Sequence, residues 1–191
     1  LKAVISGLRR GKPEIRRQFS RMRILNIFHQ LCLAVSYAHS QGVIHRDLKP
    51  SNVMVGDFGE VVLLDWGLCK VIGNETRSTR STSERWKTVH GQIIGTPAYM
   101  APEQAGGLIN DVNERTDVYG LGAILYHLLT LRPPFVGKSN REIVGRVLQE
   151  EIVPPIDRAP NRQIPPELNQ ICMRSLARNA NERYENASAL A

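Results

Sequence analysis

The chain has 191 residues, 42% apolar and 23% charged, with three cysteines and a formal net charge of +7. That is the make-up of one globular domain, and it excludes a disordered polyampholyte and a disulfide-built mini-domain. No run approaches the roughly 18 consecutive apolar residues of a membrane span.

The charge is unevenly placed. Residues 1–23 hold Lys2, Arg9, Arg10, Lys12, Arg16, Arg17, Arg21 and Arg23 against Glu14, so this stretch alone carries 8 − 1 = +7, and the remaining 17 bases and 17 acids balance. A basic stripe can touch phosphate backbones. With no series of stacking aromatics threaded through it, it reads as a solvated helical face, and a nucleic-acid partner is not expected. Residues 2–9 are predicted to form a short helix stopped by Gly11 and Pro13. A longer helix is predicted over 14–40, where Leu25, Phe28, Cys32 and Val35 recur at three and four residues and mark one buried face. Gly42 closes it.

Val43 and Ile44 form an extended entry into His45-Arg46-Asp47. Residues 53–55 and 61–64 read as two short strands, joined by a hairpin loop of turn-forming composition, Gly56-Asp57-Phe58-Gly59-Glu60. After Gly67 the chain turns polar, and residues 73–88, rich in Ser, Thr and Arg, read as a mobile loop. Residues 117–130 are apolar nearly all round, the pattern of a helix in the middle of a core, and Pro133-Pro134 stop it. Ser139 with Glu142 three positions on is a capping box opening a further helix to about residue 150. Pro165-Pro166-Glu167 opens another, and a last one begins near Glu185. The three cysteines, Cys32, Cys69 and Cys172, are scattered and read as reduced thiols. The expected compartment is the cytoplasm, with a membrane anchor elsewhere in a longer protein left open. The histidines His29, His39, His90 and His127 show no ligand spacing.

The segment His45-Arg46-Asp47-Leu48-Lys49-Pro50-Ser51-Asn52 resembles the catalytic loop of protein kinases, H-R-D-x-x-x-x-N. Gly95-Thr96-Pro97-Ala98-Tyr99-Met100-Ala101-Pro102-Glu103 is similar to the segment that ends in A-P-E in the same family. The likeness runs over essentially the whole chain. It implies an α+β, predominantly helical, protein-kinase-like C-terminal lobe with one small β-hairpin at the catalytic cleft, residues 1–191 being a single partial domain and 65–103 its activation segment. The implied activity is transfer of the ATP γ-phosphate to Ser or Thr hydroxyls of protein substrates, with Mg²⁺ or Mn²⁺, and the overall character looks bacterial.

The resemblance also assigns roles. Asp47 would accept the proton of the substrate hydroxyl and orient it, and Lys49 would neutralise the departing γ-phosphate, the Ser/Thr-kinase form of the loop. Asn52 and Asp65 would ligate metal. The literal D-F-G at Asp57-Phe58-Gly59 lies in the predicted hairpin turn, where Asp and Gly are turn formers. Asp65-Trp66-Gly67, eighteen positions after Asp47, takes that role instead. Thr96 would hydrogen-bond the catalytic loop near Asp47 and Lys49, and Glu103 would pair with Arg183. Asp117 would hold the catalytic-loop backbone, with a helix N-cap or first-turn carboxylate as its plainer role. Arg46 would receive a phosphorylated loop residue, with Thr88 and the cluster at 76–83 as candidates.

The glycine-rich loop, strand lysine and helix glutamate that cover ATP in this family do not occur before residue 45. Leu1 reads as a cut rather than a natural start. The chain is expected to need an N-terminal lobe in cis and to transfer phosphate negligibly alone. A pseudokinase or lone-lobe scaffold, and a nucleic-acid module on the first 23 residues, are the alternatives.

Overall fold

The computed structural model describes residues 1–71 and 96–191. Lys2–Arg9 is helix α1, and Gly11, at φ 72°, turns the chain into a short helix α2, Pro13–Gln18. The single helix predicted over 14–40 is in fact two. At Phe19 the backbone leaves helical angles, the ring turns inward and is buried, and Ser20 starts α3, Arg21–Ser40, with its hydroxyl accepting from the Arg23 N–H at 3.3 Å. A Ser followed by a periodic apolar face is an N-cap signal. Phe19 is also the one aromatic inside the basic stretch. It faces the core, with the Arg23 guanidinium 5.1 Å from its ring centre, so it offers no stacking platform to a base.

Strand β1, Val43–Ile44, follows α3, and a 3₁₀ turn, Pro50–Asn52, leads into the hairpin β2, Val53–Val55, and β3, Val61–Leu63. The hairpin is antiparallel, pairing Val53 with Leu63 and Val55 with Val61. Strand β4, Lys70–Val71, was not foreseen. It pairs antiparallel with β1, Val71 opposite Val43, and two residues are too few to leave a period-2 signal. Thr88 and the cluster 76–83 lie outside the described residues.

A 3₁₀ turn, Pro97–Tyr99, and the short α4, Pro102–Ala105, precede the central helix α5, Glu114–Thr130. That helix starts three residues earlier than predicted. Its N-cap is Asn113, whose Oδ1 accepts from the Arg115 N–H, so Asp117 is not a cap. As the all-round apolar pattern requires, α5 is buried from Thr116 to Tyr126 without a break. Leu121, Ile124, Leu125 and Leu128 are almost wholly excluded from water, each contributing roughly 1.5–3 kcal/mol of burial.

Helix α6, Asn140–Gln149, packs against the Pro97–Tyr99 turn and α4, while α3 and three later helices pack on α5: α7, Pro155–Arg158; α8, Pro166–Ser175; and α9, Ala187–Leu190. Gly122 sets the closeness of α5 and α8, since a Cβ there would meet Ser175 Cβ at 2.7 Å. At the start of α6, Ser139 caps the Glu142 N–H as predicted, but the Glu142 carboxylate returns to Lys138 N rather than to Ser139. No helix among the described residues is long and apolar enough to cross a membrane.

Candidate active site

The loop after β1 is shaped by one buried carboxylate. Asp117, in the first turn of α5, is 1% exposed. Its Oδ2 accepts from the His45 backbone N–H at 2.8 Å, and its Oδ1 accepts from the Arg46 N–H at 2.8 Å. His39, near the end of α3, places Nε2 2.9 Å from the same Oδ2. From the other side Gln104 of α4 donates its amide to the Arg46 carbonyl at 2.8 Å. Arg46 is thereby held at φ 69°, a left-handed conformation that an arginine adopts only under constraint. Burial lowers the Arg46 pKa, opposed by the charges of Asp117 and Cys69.

This peptide geometry presents the next residue. Lys49 Nζ lies 2.6 Å from Asp47 Oδ2, and the Asn52 amide nitrogen donates to Asp47 Oδ2 at 3.2 Å and to the Asp47 carbonyl at 2.9 Å. His45 Nδ1 accepts from the Asp47 N–H at 3.2 Å, which puts the ring proton on Nε2, facing the Leu64 carbonyl at 3.1 Å. That pair of bonds ties the loop to the exit of β3. Trp66 completes the tie: its ring meets His45 edge to face at 4.7 Å, and its Nε1 donates to Leu63 O at 3.2 Å.

Asp65 lies just after β3, exposed and at φ 63°, a left-handed angle that Asp tolerates better than most residues. Asp57 stays in the hairpin turn, beside a Phe58 that is 99% exposed. Its carbonyl accepts from Arg23 Nη2 at 3.2 Å, and the turn closes with Gly56 N–H to Glu60 O at 2.9 Å.

A hard divalent cation takes oxygen ligands, and the donor set fits one. The Asn52 amide nitrogen is committed to Asp47, so the side-chain atom left over is the oxygen, and Asp65 is a carboxylate at the loop's exit. Among the described residues no group of three or more His, Cys, Asp or Glu gathers to hold a metal unaided. Mg²⁺ usually combines one or two protein oxygens with water and substrate phosphate.

The segment from Thr96 carries a second set of contacts. Thr96 is exposed, its carbonyl accepts from the Tyr99 N–H at 3.1 Å, and among the described residues its hydroxyl bonds to neither Asp47 nor Lys49. The Tyr99 hydroxyl and His127 Nδ1 are hydrogen-bonded at 2.6 Å. Burial, aided by the Arg9 charge, lowers the His127 pKa to about 4, and burial raises that of Tyr99. Glu103 and Arg183 form a two-pronged pair, Nη1–Oε1 2.8 Å and Nη2–Oε2 2.9 Å, and Thr116 adds a hydroxyl to Oε1 at 2.8 Å. Arg183 is 2% exposed and also donates to the carbonyls of Ala177, Arg115 and Arg178, so all five of its N–H groups are engaged. Burial pushes the Glu103 carboxyl up, but the hydrogen bonds and charge of Arg183, with backbone and Thr116 bonds, bring it below its ordinary value.

Asp47, Lys49 and Asn52 are therefore together, and Asp117 holds their loop. Glu103 and Arg183 are together behind it. Three residues the sequence did not single out for this site are His39, Gln104 and Thr116. The only available signal for His39 was its position on the buried face of α3. Gln104 and Thr116 lie one residue from Glu103 and Asp117, within the elements already flagged.

A sequence model described as the protein kinase domain matches residues 8–191. Among curated proteins the chain is 44% identical over 184 residues to a serine/threonine-protein kinase PknD of Chlamydia caviae, covering 93% of this chain and 19% of that protein. It is 40% identical over 189 residues to the protein of that name in Chlamydia trachomatis serovar D, covering 93% and 20%. With the Chlamydia felis protein it shares 43% over 177 residues, covering 87% and 18%. The chain spans about a fifth of the length of these relatives.

Proposed function

The chain belongs to the protein kinase domain family, and from that premise we propose that it supplies the catalytic-loop lobe of a bacterial-type serine/threonine kinase. The observation that carries this reading is the Asp47 carboxylate held between Lys49 and Asn52 on a loop clamped by Asp117. Phosphoryl transfer needs positioning and charge stabilisation more than covalent help, and a pre-shaped loop provides positioning.

In the proposed reaction a Ser or Thr hydroxyl oxygen forms a bond to the γ-phosphorus of ATP. The bond from that phosphorus to the β–γ bridging oxygen breaks, ADP leaves, and the hydroxyl proton passes to Asp47. Asp47 orients the hydroxyl through the hydrogen bond that takes its proton. Lys49, already against Asp47, offers its ammonium to the transferring phosphoryl oxygens. Asn52, through its oxygen, and Asp65 would hold Mg²⁺, which would offset the negative charge of the phosphates. General-base help is worth about 10²–10⁴ in rate, so most of the acceleration falls to positioning and charge.

The elements that cover the nucleotide in this family are not among these 191 residues. In this proposal the activity needs an N-terminal lobe that meets this one, and the chain alone is expected to be inert. Arg46 is the proposed receiver of an activation-loop phosphate, with Thr88 and residues 76–83 as candidates. Such a phosphate would bring about −1.5 to −2 of charge. The test is transfer of labelled γ-phosphate by the protein expressed with its upstream coding sequence, followed by phosphoamino-acid analysis. Label on Ser or Thr, dependent on Mg²⁺, is expected. An upstream sequence lacking the glycine-rich loop and strand lysine, with no transfer, would leave a scaffold instead.

A further inference from the structure

Part of the excess positive charge meets around Arg162. Arg162, half-buried, donates its Nε to the Leu129 carbonyl near the end of α5 at 2.5 Å, and Arg21 donates a guanidinium N–H to the Arg162 carbonyl. Burial, then the charges of Arg21 and Arg16, lower the Arg162 pKa. Two residues before Leu129 is His127, which feels the Arg9 charge and is hydrogen-bonded to the Tyr99 hydroxyl at 2.6 Å. Tyr99 belongs to the 3₁₀ turn that follows Thr96. The patch thus reaches from α1, α2 and the start of α3 to the segment beside the catalytic loop.

Among the described residues none of Arg9, Arg16, Arg21 and Arg162 is in an ion pair; the ion pairs there involve other residues. A merely solvated basic face spreads its guanidinium groups into water. Here one of them is partly desolvated and held beside two like charges, an arrangement that an anion relieves.

We infer that this arginine patch receives acidic side chains of the protein substrate, so that the preferred target is a Ser or Thr flanked by Asp or Glu. The inference rests on the kinase reading above and adds a substrate class to it. An acidic peptide fits better than nucleic acid, because the patch lies beside the segment next to the phosphate-transfer loop and the one aromatic of residues 1–23, Phe19, is buried.

The experiment uses the full-length kinase and three peptides, each with one central Ser and flanks of Glu, Ala or Lys. The expected kcat/KM for the Glu peptide is about tenfold above that for the Ala peptide, with a difference that shrinks as salt rises, as for rim charges that steer encounter. Arg16→Glu with Arg21→Glu removes the preference, Arg16→Lys with Arg21→Lys keeps it, and Arg141→Glu on α6 leaves both preference and basal rate as they were. Equal use of the three peptides, or preference for Lys flanks, overturns the inference while leaving the kinase reading standing. If no peptide is phosphorylated, the kinase reading fails separately, and the patch is judged by fluorescence anisotropy. Tighter binding of the Glu peptide than of the Lys peptide upholds it. Binding of a uridine homopolymer that is lost in the double Glu variant, with no binding of the Glu peptide, overturns it in favour of nucleic acid.

Discussion

The carboxylate of Asp117 lies 2.8 Å from the backbone nitrogen of Arg46, so a residue in the first turn of the central helix fixes the peptide unit beside Asp47. The same carboxylate takes the His45 N–H at 2.8 Å. Replacement by Ala strands the buried His45 N–H and the half-buried Arg46 N–H and takes away the carboxylate partner of His39. At about 1–3 kcal/mol per unsatisfied group, Asp117→Ala is expected to lose about 3 kcal/mol of stability in urea unfolding. A loss within about 0.5 kcal/mol, the scatter of ordinary surface changes, would mean the clamp is dispensable.

Arg183→Ala leaves Glu103 buried and unpaired, and breaking a buried pair in this way costs about 3–5 kcal/mol. The pair also predicts a pH dependence. Because the folded-state pKa of Glu103 lies below its ordinary value of 4.5, the stabilisation is fully present above pH 4.5 and is lost as pH falls through the folded pKa. Glu103→Gln should flatten that part of the stability–pH curve, and an unchanged acid limb would count against it.

His127 offers a second pH prediction with a different readout. Its pKa is lowered to about 4, so it is neutral in the folded protein at pH 5.5, where a free histidine is largely charged. The contribution to stability is present above pH 6.5 and fades as pH drops towards 4. In NMR the His127 ring signals are expected to stay flat between pH 5.5 and 7.5. A midpoint near 6.5 would show that the Tyr99 contact and the burial are wrong.

Asp65 and Asp57 separate the two readings of the metal ligand. In the active kinase Asp65→Ala is expected to lower kcat by about 10²-fold or more, the scale of removing one electrostatic contributor. Asp57→Ala, in a solvent-facing turn, is expected to leave kcat within about twofold, since surface changes rarely exceed 0.5 kcal/mol. The reverse ranking would return the metal site to the hairpin.

Much of this site was legible because its chemistry is local in sequence. His45 to Asn52 is one continuous segment, and the composition of residues 56–60 placed Asp57 in a hairpin turn, where the fold has it. The break at Phe19 and Ser20 was missed because apolar periodicity continued across it. The decisive feature there is a capping serine, which also occurs inside helices. Gln104 and His39 act through a carbonyl and a carboxylate that are distant in sequence, and neither residue type carries a spacing pattern for such contacts. The start of α5 was placed at Asp117 because the apolar run begins there, whereas the backbone follows the cap at Asn113. Thr96 shows the opposite case, a role implied by resemblance for which the described contacts supply no partner.

The most direct test of the central claim is phosphate transfer by the full-length kinase with Asp47→Asn, a substitution that keeps the size of the side chain and removes the base. The fold should persist, since Asp117 and not Asp47 holds the loop. Transfer to a Ser peptide should fall by about 10²–10⁴-fold. A variant that folds and retains its rate within a few-fold would contradict the assignment of this loop as the catalytic centre.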